Sequence, residues 1–444
     1  MRVERRGRVI LACLVVNRDD AGGAGEQAKA RRQGVCHFQA AGLGGMAEGQ
    51  GQQGAAGVDE QSIQAFEANL AGNLYKLWNR MSSGSYMSPP VRAVQIPKKG
   101  GRGVRVLGVP TVADRVAQTV ARLYLEPEVE PVFHPDSYGY RPRRSALDAV
   151  GRCRQRCWSY DWVLDLDLKS FFDSLDHSLV LRSVAAHTDL RWILLYVQRW
   201  LKAPLQREDG TLMARDRGSP QGSAISPVLA NIFLHYALDL WLAREFGAVA
   251  FERYADDVIL HCNSEQQARV VLDAITRRLA QVGLELNLDK TRIVYCKDSN
   301  RHGSHEHEQF TFLGYTFRPR LARSRRGESF VSFCPAVADD AAKAIRRTIK
   351  RWRLHMWSGA TLSDLARSIN VIVRGWINYY GRFYRSLLVQ ALSAIDDYLV
   401  RWAMRKYKRL RDRPRRAWRF LASVVAREPV LFAHWQAGAR PSAG

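Results

Sequence analysis

The stretch WVLDLDLKSFFD, Trp162 to Asp173, sets apolar and acidic residues in alternation before a turn-like Lys-Ser pair. In an extended chain Val163, Asp165 and Asp167 share one face while Leu164, Leu166 and Leu168 take the other. A carboxylate at the end of a buried strand is costly unless it is paired or metal-bound. A second stretch, FERYADDVILHC from Phe251 to Cys262, flanks two adjacent aspartates with apolar residues and reads as a hairpin presenting both acids at its tip. Alone, an Asp-Asp pair is an ordinary solvated turn. With the first stretch it becomes a set of hard oxygen donors. Nucleotidyl transfer asks for such a set, because charge builds on both the attacking and the leaving oxygen. Two Mg2+ ions about 4 Å apart answer that need and prefer carboxylates plus substrate phosphates.

The rest of the composition points to a polyanionic partner. The 444 residues carry a formal net charge of +24, a field that gathers nucleic acid before any specific contact forms. An apolar fraction of 46% is that of a folded protein, and the length favours two or three domains. The seven cysteines form no CxxC pairs and read as reduced residues; Cys153 and Cys157, four apart, could share a helix face but lack further ligands nearby in sequence. No apolar run reaches the roughly 18 residues of a membrane span. Ile10 to Val16 superficially resembles a short secretory signal, but a basic body with unpaired cysteines suits a cytoplasmic, nucleic-acid-associated protein.

Residues 1–51 are rich in Gly, Ala and Gln without periodicity and are expected to pack poorly; Met46 is an alternative start. Phe66, Leu70, Leu74 and Leu77 space a helix face. SYMSPPVRAVQIPKKGGRGVRVLGVP, from Ser85, suggests a hairpin with a basic turn, and helical spacing returns from Thr111 to Leu125. Strands and helices alternate from Trp158 to Cys334. Long helices follow Pro335, and in the second of them Ile369, Ile372, Val373, Trp376, Tyr379, Tyr380, Phe383 and Tyr384 make a stripe at three and four residues. That stripe reads as the core of a helical bundle, though its rings also suit base stacking.

Here the motifs become specific. YADD at Tyr254–Asp257, DLKSFFDSLDH at Asp167–His177, GSPQGSAISPVLANIFL at Gly218–Leu234, LELNLDKT at Leu284–Thr291 and FLGYTF at Phe312–Phe317 resemble, in that order, the group II intron reverse transcriptases and maturases. The similarity runs from about Gly54 to about Leu410. It implies an α+β right-hand polymerase fold, with fingers and palm over 52–334, an all-α thumb or maturase (X) domain over 335–412, and a short basic tail over 413–444.

The resemblance also implies roles. Asp167 and Asp256 would bind both Mg2+ ions with Asp257 in support, and the Leu168 carbonyl would be a further ligand; the role of Asp165 stays open. Phe172 would lie beneath the incoming sugar and exclude a 2′-hydroxyl. Lys98 and Arg105 would grip the triphosphate, although Val106 stands where the family usually has proline. Gln221 would lie near the nucleotide, with Gly222 permitting close backbone approach. Lys290 is either the general acid toward pyrophosphate or a surface lysine. Arg141, Arg143 and Arg144 would face template or phosphate. Asp173 and Asp176 read as caps or turn acids.

RGWINYYGRFYRS from Arg374 is similar to the family's maturase domain, and Arg401, Arg405, Lys406, Lys408 and Arg409 are candidates for holding intron RNA. The implied partners are host intron RNA, an RNA template, a DNA primer and deoxynucleoside triphosphates. No cysteine pairs or histidine cluster follow, so no zinc-dependent nuclease is expected, and the family's charged helix before GAAGVD is replaced by glycine-rich sequence. Two rivals stand beside an active polymerase that assists splicing: a splicing-only maturase with an idle polymerase site, and a reverse transcriptase of a retron, diversity-generating or CRISPR-associated system.

Overall fold

The computed structural model describes residues 55–97, 104–324 and 326–441. Two helices, α1 (Ile63–Glu67) and α2 (Leu70–Ser82), lead to β1 (Val91–Pro97) and β2 (Val104–Val109). Then come α3 (Val112–Val129), α4 (Ala146–Cys157), β3 (Trp162–Asp167), α5 (Phe171–Ser174), α6 (His177–Ala185) and α7 (Arg191–Lys202). After the short strands β4 (Leu205–Gln206) and β5 (Leu212–Met213), α8 (Ser226–Leu234) passes through a π-helical turn, His235–Asp239, into α9 (Leu240–Glu245). β6 (Ala250–Tyr254), β7 (Asp257–Cys262), α10 (Glu265–Gln281), β8 (Arg292–Tyr295), β9 (Phe310–Phe312), β10 (Tyr315–Arg323) and β11 (Ser329–Val337) follow. The chain continues in α11 (Asp339–Trp352), α12 (Leu362–Tyr380), α13 (Arg385–Leu392), α14 (Ala394–Lys406), α15 (Pro414–Arg427) and α16 (Ala433–Gln436).

The described residues form two compact units. One draws on the described residues of 55–142, on Leu168–Phe246 and on Ala274–Leu286. Its sheet has the order β2-β1-β4-β5, and the antiparallel β1–β2 pair is the hairpin that the Pro- and Gly-punctuated sequence suggests. The basic turn itself, Lys98 included, lies outside the described residues. Thr111 caps α3 by accepting from the Asp114 N–H, and α3 buries Val116, Ala117, Val120 and Ala121. α8 is apolar apart from Ser226 and Asn231 and buried at every position but Pro227, as a helix at the centre of a core must be.

The second unit draws on Arg143–Asp167, Gly247–Asp273 and Asn287–Gly444. Its sheet β6-β7-β3-β8 is antiparallel throughout, which makes the fold α+β. A second sheet runs β11-β10-β9. The helices after β11 share one core in which Ile369, Val373, Leu399 and Trp402 are buried. Part of the expected stripe does other work: the Tyr379 hydroxyl donates to the Leu313 carbonyl (2.8 Å), the Tyr315 hydroxyl to the Tyr379 carbonyl, and Ile372 is exposed.

Residues 413–441 depart from the expected basic tail. Ala417, Leu421, Phe432 and Trp435 are fully buried in the bundle core, and His434 Nε2 and Trp435 Nε1 donate to Asp396 Oδ1, 2.9 and 2.8 Å away. The arginines that suggested a solvated tail lie on the outside of α15, while apolar residues spaced three and four apart face inward.

Candidate active site

The register of the second unit's sheet collects the acids. Asp167, last residue of β3, pairs with Asp257, first residue of β7, and two positions back Asp165 pairs with Ile259 on β7 and Arg292 on β8. Tyr254 and Asp257 close the β6–β7 hairpin around a two-residue turn of Ala255 and Asp256. Ala255 holds φ at 57°, a left-handed conformation that costs a side-chain-bearing residue about 1 kcal/mol. The Arg253 guanidinium, wholly buried, donates to the Ala255 carbonyl (3.2 Å) and so braces the strained tip from below. Four aspartates thus lie toward one end of the sheet's two central strands.

One loop fastens the end of β3. The Asn287 N–H donates to the Asp167 carbonyl (2.8 Å), the Thr291 hydroxyl accepts from the Asp167 N–H (3.4 Å), and the Lys290 ammonium lies 3.1 Å from Asp167 Oδ2. Lys290 is an exposed lysine whose ammonium rests on the Asp167 carboxylate, so LNLDKT holds Asp167 by backbone and side chain together. In the other unit Leu168, one residue on, bridges Leu286 in antiparallel fashion.

The crowding shows in protonation. Burial, then repulsion by Asp257 and Asp167, pushes the Asp165 carboxyl up to about 7 against the pull of Arg292. Desolvation, then Asp256 and Asp167, raises Asp257 to about 6 while Lys290 opposes. Asp257 is open to solvent at its tip, where the neighbouring charges of Asp256 and Asp167 disfavour its ionised form. Among the described residues no three aspartates bring carboxylate oxygens within 4.8 Å of one another. Hard oxygen donors under mutual repulsion are what a divalent cation of the magnesium type selects.

A different cluster, Cys153, Glu252 and His261, does bring ligand-type atoms within 4.8 Å. It is an occupied ion-pair network: Arg156 Nη1 lies 2.5 Å from Glu252 Oε1, and His261 Nε2 lies 2.7 Å from Oε2. Both carboxylate oxygens are used, and the pairs tie β6 and β7 to α4.

The first unit holds a cavity of about 450 Å3 walled by Phe172, Gln221, Gly222, Arg105, Arg115 and Arg122. Gly222 has φ 116°, and a Cβ there would stand 2.7 Å from the Gly108 carbonyl oxygen. The Gly108 N–H donates to Gln221 O, and the Ser219 N–H to Phe172 O, so the SPQG loop is stitched to both the hairpin and the phenylalanine turn. Sequence reasoning missed Arg115 and Arg122. Their spacing with Thr119, four and then three residues along one helix, was the available signal.

Other expected site residues fare unevenly. Arg141 is a correction: it is buried, pairs with Glu130 (2.8 Å), and donates to the His134 and Ser137 carbonyls, which leaves it nothing for a template. Lys406 is half-buried, its ammonium held by the Ser358 and Ala360 carbonyls, neutral acceptors that leave its charge uncancelled. Arg143, Arg144, Arg401, Arg405, Lys408 and Arg409 stay on the surface. Asp176 caps α6 as expected, accepting from the Leu179 N–H. No helix among the described residues is long and apolar enough to cross a membrane.

Carboxylates toward one end of the central strands of a four-stranded antiparallel sheet, with the motif loops in this order, define the palm of a template-directed polymerase. Residues 96–317, half the chain, match the model of the reverse transcriptase (RNA-dependent DNA polymerase) family, and residues 342–421 match the group II intron, maturase-specific domain. The chain belongs to the reverse transcriptase family, in its group II intron-encoded branch. Protein YkfC of Escherichia coli is 32% identical over 61% of this chain and 77% of its own length. The group II intron-encoded protein LtrA of Lactococcus lactis is 33% identical over 36% of this chain and 26% of its own. A putative COX1/OXI3 intron 1 protein of Saccharomyces cerevisiae is 32% identical over 58% and 37%. A telomerase from Candida albicans superposes on 85% of this chain and 68% of its own at a TM-score of 0.45 and 12% identity, too loose a likeness to carry weight.

Proposed function

We propose that this protein copies an RNA template into DNA and assists splicing and mobility of its host group II intron. The observation that carries the reading is the clustering of Asp165, Asp167, Asp256 and Asp257 toward one end of the central strands β3 and β7. The family uses divalent metal ions. Asp167 and Asp256, with Asp257 in support and the Leu168 carbonyl as a further donor, are the residues to hold two Mg2+. Bound there, the ions supply charge neutralisation at the attacking and leaving oxygens. Lys290, which neutralises Asp167, is the group to protonate the departing pyrophosphate. Lys98, Arg105, Arg115 and Arg122 receive the triphosphate, since guanidinium and ammonium donors suit phosphate. Phe172 limits the sugar to the deoxy form, and Gln221 and Gly222 shape the same cavity.

For splicing, the surface cations Arg401, Arg405, Lys408 and Arg409 on the maturase-specific helices hold folded intron RNA by its phosphates. Primer extension on an RNA template tests the first half: activity in the wild type, abolished by Asp256→Ala, is expected. A wild type that binds intron RNA but extends no primer would leave the splicing role alone.

A further inference from the structure

We propose a second nucleotide-binding site, separate from the Phe172 cavity, in a hollow of about 370 Å3 between α6, the π-helical turn, α9 and α10. Arg182 from α6, Arg244 from α9 and Arg278 from α10 line it, with Leu179, Phe233 and Tyr236 among the apolar wall. None of the three arginines has a carboxylate partner among the described residues, and each comes from a different helix. Bringing three guanidiniums to one concavity is unfavourable until an anion enters, and the planar fork suits phosphate.

The π-helical turn prepares the site. Its register turns the Tyr236 and Ala237 carbonyls toward Arg278, whose Nη2 and Nε donate to them, 3.2 and 3.0 Å away. Arg278 is thus fixed by neutral main-chain acceptors, which orient the guanidinium without cancelling its charge. Single π turns within helices recur at functional sites. Tyr236 is itself held, its hydroxyl 2.8 Å from His187 Nε2, so its ring presents a fixed apolar surface on which a base can stack. Cations beside an aromatic and aliphatic wall, in a space of nucleotide size, define the ligand as a phosphorylated nucleotide. It is either one unit of an RNA chain or a free mononucleotide.

The test is fluorescence anisotropy with a short fluorescein-labelled single-stranded RNA, comparing the full chain with Arg182→Gln/Arg244→Gln and a charge-matched control, Arg152→Gln/Arg326→Gln. All four positions are solvent-accessible, and thermal unfolding midpoints report whether each fold is kept. We expect the pocket pair to weaken binding about 30-fold and the control pair no more than about threefold. Direct titration with a fluorescent adenosine monophosphate separates the two sources: binding that the pocket pair loses makes the free nucleotide a ligand of the hollow, and RNA affinity lost in the pocket pair without any nucleotide binding in the wild type makes the ligand a unit of the chain. Equal losses in the two double variants overturn the proposal, since general charge would then explain both. If the pocket pair unfolds, Tyr236→Ala takes its place with the same readout, and unchanged RNA affinity there overturns it as well.

Discussion

At the scale of the residue, Phe172 is the sharpest lever on substrate choice. Its ring walls the cavity that Gln221 and Gly222 also line. Phe172→Ala should leave deoxynucleotide incorporation measurable and raise ribonucleotide incorporation at least about tenfold, roughly the value of one unfavourable contact removed. Primer extension with each nucleotide set measures this, and unchanged discrimination would remove Phe172 from the sugar site. His261 offers a pH test of a different residue. Burial works against its charge, but the Glu252 carboxylate wins and lifts its pKa from 6.5 to about 10. A pKa raised on folding gives stability that is fully present below about pH 6.5 and lost as pH rises through about 10. Glu252→Gln removes that contribution and leaves Arg156 and His261 buried without their counter-ion. The stability gap between wild type and variant should be widest at pH 6 and narrow steadily toward pH 10 in urea unfolding. A gap that stays constant across that range would mean His261 is not charged in the fold.

At the scale of the element, the two acidic segments were legible because strand alternation and a hairpin tip are both short-range patterns. The β3 face and the Tyr254–Asp257 tip therefore stand where the sequence reading puts them. Illegible was whatever depends on a distant partner. Arg141 reads as a surface cation until Glu130 and two carbonyls enclose it, and Arg253 gives no sign that it will be buried under Ala255. The carboxy-terminal helices were misjudged for a third reason: the density of arginine masked an apolar face of Ala417, Leu421, Val424 and Val425. α16 now appears as the closing plug of the bundle. Trp435→Ala should cost about 3–5 kcal/mol, by cavity formation and by removing one donor from Asp396. Chemical denaturation reads it directly, and a loss under about 1 kcal/mol would show that these last helices are not part of the bundle's cooperative core.

At the scale of the whole molecule, a net charge of +24 makes ionic strength the natural variable. Binding through phosphates releases condensed counterions, so the logarithm of RNA affinity falls linearly with the logarithm of salt, at about 0.9 per phosphate on a duplex and about 0.7 on a single strand. If the maturase-specific helices hold folded RNA by phosphates, six or more contacts are a reasonable footprint, and affinity should drop about a thousandfold or more between about 50 and 200 mM salt. The nucleotide cavity is a smaller, partly enclosed target. With template and primer saturating, the KM for deoxynucleotides should therefore rise far less over the same range. The exposed Lys408 and Arg409 allow a finer test, because each phosphate contact removed lowers the slope by about one. Lys408→Gln with Arg409→Gln should flatten the RNA salt dependence by about two while leaving the nucleotide KM as it was. An unaltered slope would show that the RNA lies on another face of the protein.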